Sequence, residues 1–457
     1  MPAHITSLFI FRRDLRLHDN TGLNEALRLS EKVIPCFIFD PRQIEPHPYQ
    51  SKPGLRFMLQ SIDDLERQLK AAGGKLALYH AAPQEVITQL FVQQIEAVFI
   101  NRDYTPFSRL RDAEIAEVCS QLGIALHVLP DALLTEPELA VKSDRIPYKV
   151  FTAFYNHARL FPVAVPQAFE KRNFLNVATG FTADQPAVSY DETMAVMPGG
   201  RQQALAILDR IASYTDYEHS RNYPFQNATS RLSAHIKFGT CSIREAYYTI
   251  VEQLGSEHPL LRQLYWRDFF THIAYHFPRV FGHAFIEKLE NLEWDNKPDY
   301  FKAWCEGKTG FPIVDAGMRE LNATGFMHNR VRMITASFLV KDLHIDWRCG
   351  ERYFAQHLVD YDPCVNNGNW QCAASTGCDA QPYFRIFNPW IQQQKFDPLC
   401  LYIYRWLPEL KALTVDMIHR WDKKQVECSY PAPIIDHGRE SRITKERYKS
   451  AVSSVRS

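Results

Sequence analysis

Five short apolar runs, SLFIF, VIPCFIFD, KLALYH, AVFIN and ALHVLP, punctuate the first 130 residues and constrain the fold more than anything else in the chain. Between them lie NEALRLSE, FMLQSIDDLERQLKAAG and RDAEIAEVCSQLG, which are polar and helical in character. Strand and helix in alternation predict a parallel sheet with helices on both faces, a doubly wound, Rossmann-like α/β domain over residues 1–130. AAGGK stops the second helical stretch, with glycine ready for the left-handed position. No GxGxxG follows the first run, which argues against an ordinary nicotinamide-dinucleotide site.

The pattern then changes. Residues 131–200 are Pro-rich and weakly periodic, as expected of a long interdomain connection. From residue 201 to 457 the period is mostly helical: RQQALAILDRIASY, SIREAYYTIVEQLG, LLRQLYWRDFFTHIAYHF and HNRVRMITASFLVKDLHI carry apolar residues at helical spacing. With 457 residues, 46% hydrophobic, the chain can bury a large core in two or more domains. Lys+Arg and Asp+Glu both number 52, so any nucleic-acid site must be a local basic patch. The ten cysteines show no CxxC pair and no metal-ligand spacing, and they read as reduced thiols of a cytoplasmic protein with no structural metal. The apolar run before Arg12 is too short for a signal peptide or a membrane helix. No feature demands an oligomer or an obligate protein partner, so a monomer is expected.

Residues 353–389 read YFAQHLVDYDPCVNNGNWQCAASTGCDAQPYFRIFNP, a run of acids, asparagines, a tryptophan and polar turns suited to an aromatic cofactor pocket. Together with FIFRRDLRLHDN, TSRLSAHIKFG, WRDFF, TGFMHNRVRMITASFLVKDLHIDW and WLPEL, it resembles the photolyase/cryptochrome family of flavoproteins. The resemblance covers nearly the whole chain and is strongest to the microbial (class I) cyclobutane-dimer DNA photolyases. It implies that the helical region is an FAD- and DNA-binding catalytic domain, and that the α/β domain carries an antenna chromophore.

For the flavin, the resemblance implies a phosphate clamp at Thr229, Ser230, Arg231, Leu232 and Ser233; read alone, TSRLS is an ordinary helix N-cap. Tyr217, Arg221 and Arg267 join the set, and Asp360, Tyr361 and Asp362 fall near the ribityl chain and ring. Arg332 matches the arginine that pairs with Asp360, because a buried carboxylate and guanidinium must be paired. Asn366 matches the residue facing flavin N5, where asparagine is typical of repair enzymes that use fully reduced FADH⁻. Trp370, Trp347 and Trp294 match a three-tryptophan electron path from flavin to surface.

For the substrate, the damaged pair must leave the DNA stack, a mode photolyases share with other base-flipping enzymes. Trp266 matches an aromatic wall, Met333 the methionine of the dimer-repair branch, and Asn329 and Arg330 contacts to dimer and backbone. Arg267 and Arg385 are further candidates for phosphate contact. Two positions depart from the branch pattern: Gln263 stands for a glutamate, and Cys372 for the second tryptophan of WQW. They motivate an alternative reading as a cryptochrome-like blue-light photoreceptor. Tyr104 is followed by Thr105 rather than the glutamate of the folate-binding branch, while Asp103 and Lys237 match the branch using a deazaflavin or second flavin. The implied reaction is that of a carbon–carbon lyase: excited FADH⁻ lends one electron to a flipped pyrimidine dimer in DNA, the ring splits, and the electron returns.

Overall fold

In the computed structural model, which describes residues 2–177, 196–380, 382–423 and 427–453, all five apolar runs are strands: His4–Phe11 (β1), Ser30–Phe39 (β2), Ala77–His80 (β3), Ala97–Asn101 (β4) and Ala125–Leu129 (β5). They form one parallel sheet in the order β3-β2-β1-β4-β5. β1, β2 and β4 read as continuous apolar runs because both of their faces are largely covered, whereas the edge strand β5 is partly exposed. Phe9, Phe11, Val33, Phe37, Phe39 and Phe99 enter the core on one side. Leu8, Ile10, Ile34, Cys36, Ile38, Val98 and Ile100 enter the other, as the two-residue period of a strand requires.

The helices Thr21–Leu29, Lys52–Ala71 and Pro106–Leu122 correspond to the three polar stretches. Two further helices, Pro83–Leu90 and Phe151–Ala158, were not legible in the sequence: each has eight residues and begins after an apolar residue that makes no capping bond. The second interrupts the Pro-rich connection.

The chain divides into two units, one comprising residues 1–191, 197–215 and 230–278, the other 192–196, 216–229 and 279–457. Helices Arg201–Leu208, Ile243–Leu254 and Pro259–His276 therefore group with the sheet, although their periodicity alone placed them with the helical region. A buried ionic network explains the grouping. Arg16, in the loop after β1, donates to both oxygens of Asp131 at 2.8 Å, and Arg244 reaches Asp131 at 2.8 Å and Asp19 at 2.9 Å. Charges this buried persist only when paired, so the network ties the loop, β5's exit and helix Ile243–Leu254 together. Asp268 adds a second tie by accepting from the amides of Leu134 and Thr135; burial pushes its carboxyl up to about 7.

The second unit is helical around a core that contains Trp304, Phe311, Phe338, Trp347, Phe354, Trp370 and Trp421. Among the described residues no helix is long and apolar enough to cross a membrane.

Candidate active site

The helical unit builds its polar site on two consecutive helices. Asp346 caps Trp347–His357 by accepting from the amide of Arg348, and Asp362 caps Pro363–Ala374 by accepting from Cys364 and Val365 at 3.0 and 3.2 Å. Pro363 occupies the first turn, where its missing N–H costs nothing. Asn366 and Trp370 are four residues apart on the second helix and so share a face.

Asn366 is buried, and its Nδ2 donates to the carbonyl oxygen of Glu351 at 3.0 Å. That bond holds the side-chain amide and leaves Oδ1 and the second N–H of Nδ2 to offer. Beneath it runs a strap that sequence reading missed. Asn367 donates to Glu351 Oε1 at 3.2 Å and to the Val280 carbonyl; Gln371 donates to the carbonyls of Val280 and His283 and to Asn367 Oδ1, and accepts from Phe285. Burial pushes the Glu351 carboxyl up to about 7.

Trp370 packs edge-on against Phe354 at 4.9 Å and Trp304 at 6.2 Å. Gly350 makes the close approach possible, since a Cβ there would lie 2.2 Å from Trp370 Cη2. Trp347 is buried in the same core, with the guanidinium of Arg348 4.9 Å from its ring, and Trp294 sits partly buried at the core's margin. The three indoles of the expected path thus belong to one packed cluster.

Arg332 pairs with Asp360 at 3.1 Å, donates from Nε to the Met327 carbonyl at 2.7 Å, and lies over Phe326. Tyr361 packs partly buried against the same core. Tyr217 is buried, with Arg221 5.6 Å over its ring. Asn329, Arg330 and Met333 come together on the first turn of helix Asn329–Lys341, both polar groups reaching the Met333 sulfur at 3.9–4.0 Å. Arg330 is no freely solvated charge. It bonds Asn222 and stacks 4.3 Å from Phe396, and burial, with Arg221 nearby, lowers its pKa. Arg385 lies in a turn whose amide returns to the Pro382 carbonyl. The Cys372 thiol lies 3.8 Å from the Cys378 carbonyl, and burial pushes its pKa up to about 12.

In the sheet-bearing unit, Ser233 opens the helix Ser233–Phe238 and Leu232 holds the cap position without a side-chain bond. Ser230 Oγ instead accepts from Leu232 N, and Arg231 turns through the left-handed region at φ 57. The helix has only six residues, so hydroxyls and guanidinium, more than its dipole, are what this segment offers an anion. Trp266 and Gln263 lie on Pro259–His276. Gln263 Nε2 returns to the Pro259 carbonyl at 3.2 Å, and Arg267 is engaged with the Ala132 carbonyl and Asp268.

The reversal of strand order between β1 and β4 marks where ligands bind in such sheets, at the carboxyl ends of the strands. Arg12 and Arg13 follow β1 and Asp103 follows β4. Asp103 is partly buried; against its desolvation, Arg13, Arg111, Arg12 and Lys237 hold its carboxyl well below the usual range. Arg13 pairs with it at 3.3 Å and Ser108 donates to it at 2.9 Å. Lys237 can come close because Gly239, at φ +65, lets its helix end abut the Arg13–Asp14 backbone. Thr105, where a folate site needs glutamate, caps Pro106–Leu122.

Models for the DNA photolyase domain and for the FAD binding domain of DNA photolyase match residues 7–170 and 260–450. The deoxyribodipyrimidine photo-lyase of Alkalihalophilus pseudofirmus is 37% identical, the alignment covering 96% of this chain and 97% of that one. The chain belongs to the DNA photolyase family. An archaeal photolyase from Sulfolobus tokodaii, solved with two FAD molecules, superposes with a TM-score of 0.91 at 44% identity over 98% of this chain and all of that one. A cryptochrome from Synechocystis superposes at 0.86 with 30% identity, over 98% and 99%.

Each unit, taken by itself, carries donors that suit part of the FAD this family's domain binds: the Ser230 hydroxyl and Arg231 guanidinium of the sheet-bearing unit suit a phosphate, and the amide of Asn366 with the Arg332–Asp360 pair of the helical unit suits the polar edge of a flavin ring. Asn367 and Gln371 escaped sequence reading because nothing in NNGNWQC distinguishes a side chain that faces a pocket from one that braces its neighbour, and Glu351 because it lies on the preceding helix.

Proposed function

We propose that this chain is a light-dependent DNA lyase that reverses cyclobutane pyrimidine dimers. The observation that carries the reading is the near end-to-end similarity to deoxyribodipyrimidine photo-lyases, spanning the sheet and the helices alike. In this reading Tyr217, Arg221, Thr229, Ser230, Arg231, Leu232, Ser233 and Arg267 hold the FAD chain, and Arg332, Asp360, Tyr361, Asp362 and Asn366 its ring. The bound flavin, fully reduced, supplies the electron that blue light lends to the dimer. Asn366, its amide held by the Glu351 carbonyl, keeps Oδ1 as an acceptor and its second N–H as a donor, so it can bond a ring nitrogen in either protonation state. Trp370, Trp347 and Trp294 are the oxidisable route by which the enzyme is activated by light. Trp266, Gln263, Asn329, Arg330, Met333, Cys372 and Arg385 bind the extruded dimer and its flanking phosphates. The residues beyond 200 supply most of this catalytic machinery, and those before about 130 the antenna site. At that site Asp103 among Arg12, Arg13, Arg111 and Lys237 favours a deazaflavin or second flavin over a folate. The protein works as a cytoplasmic monomer that joins the nucleoid when bound to damage.

A cryptochrome-like photoreceptor is the second reading, supported by Gln263, Cys372 and the likeness to the Synechocystis cryptochrome. Illumination of the reduced, flavin-loaded protein with a dimer-containing oligonucleotide separates the two. Loss of dimers in light and not in darkness supports repair; intact dimers beside a photoactive flavin support sensing. The absorbance of the purified protein identifies the antenna.

A further inference from the structure

Phe151 begins helix Phe151–Ala158 and is 1% exposed. Its ring lies face to face on the Trp266 indole, with centroids 3.6 Å apart and planes 6° from parallel. Phe269 meets Trp266 edge-on at 5.7 Å, and Phe270 packs at 5.5 Å. One flat face of the half-buried indole is thus sealed and its edges are braced. A full sandwich is not the arrangement two aromatic quadrupoles prefer, so attraction within the pair does not explain it. A plate whose tilt must be held does. Arg262, four residues before Trp266 on the same helix, closes the group with its guanidinium 5.2 Å from Phe151 and 5.3 Å from Tyr155.

We infer that Phe151 is a positioning residue that fixes the plane of Trp266 for stacking against the extruded dimer. The inference rests on the reading of Trp266 as a lesion wall. It matters more in this chain than in relatives with the WQW pattern, because Cys372 replaces the other aromatic and leaves Trp266 to orient the lesion.

The test titrates flavin-loaded Phe151→Met, Phe151→Tyr and Trp266→Met with dimer-containing and undamaged oligonucleotides of one sequence. Phe151→Met keeps the volume but loses the flat plate. Its dimer affinity is expected to fall about 2- to 12-fold, the range of one aromatic pair. Affinity for undamaged DNA, and dimers split per absorbed photon at saturation, are expected to hold, and Phe151→Tyr to restore binding. Unchanged dimer affinity in Phe151→Met beside a loss in Trp266→Met overturns the role of Phe151 and leaves the wall standing; no loss in Trp266→Met overturns both. Should Phe151→Met fail to fold, 5-fluorotryptophan labelling of the wild type reads the stack directly. The resonance assigned by Trp266→Met is expected to carry the ring-current shift of a covered indole, and an unshifted resonance overturns the inference.

Discussion

Gly350→Ala adds one methyl group at the point where two helices of the flavin-side unit cross. Built on the existing backbone, that carbon lies 2.2 Å from Trp370 Cη2, 2.4 Å from Cζ3 and 2.5 Å from Leu339 Cδ2. Trp370 must retreat by about 1.2 Å to reach ordinary van der Waals contact, and Phe354 and Trp304 already occupy its other sides. In an open helical site, alanine for glycine stabilises by up to about 1 kcal/mol. Overpacking a filled core costs about 1–3 kcal/mol, so the net expectation is a loss of up to about 2 kcal/mol. The functional consequence is more selective. A displaced Trp370 slows light-driven reduction of the bound flavin by an external reductant, whereas repair by chemically reduced enzyme is preserved. Both are followed by flavin absorbance and dimer loss, beside a denaturation curve. A variant that is more stable than wild type and photoreduces at the wild-type rate refutes the claim that Gly350 exists to admit Trp370.

Glu351→Gln should change the pH dependence of stability. Burial raises the carboxyl from 4.5 to about 7, so the folded state holds a proton that the unfolded state releases, and stability falls as pH rises across that window. Above pH 7 the variant is expected to be more stable by up to about 3 kcal/mol, with no advantage near pH 4, as read from denaturation midpoints. Asp360→Ala leaves Arg332 without its carboxylate and should cost about 1–3 kcal/mol and lower flavin retention on gel filtration. Cys372→Trp, combined with Gln263→Glu, should tighten dimer binding by about 1–3 kcal/mol through one regained stacking surface; unchanged binding and turnover would show the lesion pocket to lie elsewhere.

How much of this was legible can be judged residue by residue. SLFIF, VIPCFIFD and AVFIN announced strands because a strand covered on both faces has few polar positions to spare. LLRQLYWRDFFTHIAYHF announced a helix, observed as Pro259–His276, but periodicity carries no information about which neighbour a helix joins. For this helix it was decided by Asp268, which accepts from the amides of Leu134 and Thr135, far away in sequence. The Arg332–Asp360 pair was anticipated from the family resemblance, which named Arg332 as the partner; the rule that buried charges pair says only that Asp360 needs one. Phe151 was not, since its partner Trp266 lies in a different helix and nothing local marks either as half of a stack.

The amino-acid order by itself determined the doubly wound sheet, the helical periodicity after it, and the need of buried charges for partners. These follow from local rules: alternating strand faces, helical spacing, and the demand of buried charge for compensation. Only the tertiary structure decided that the Glu351 carbonyl holds the Asn366 amide, that Gly350 yields its space to Trp370, and that Phe151 backs Trp266. Each depends on atoms brought within 4 Å by the packing of separate helices, and no property of one segment encodes where another will press against it.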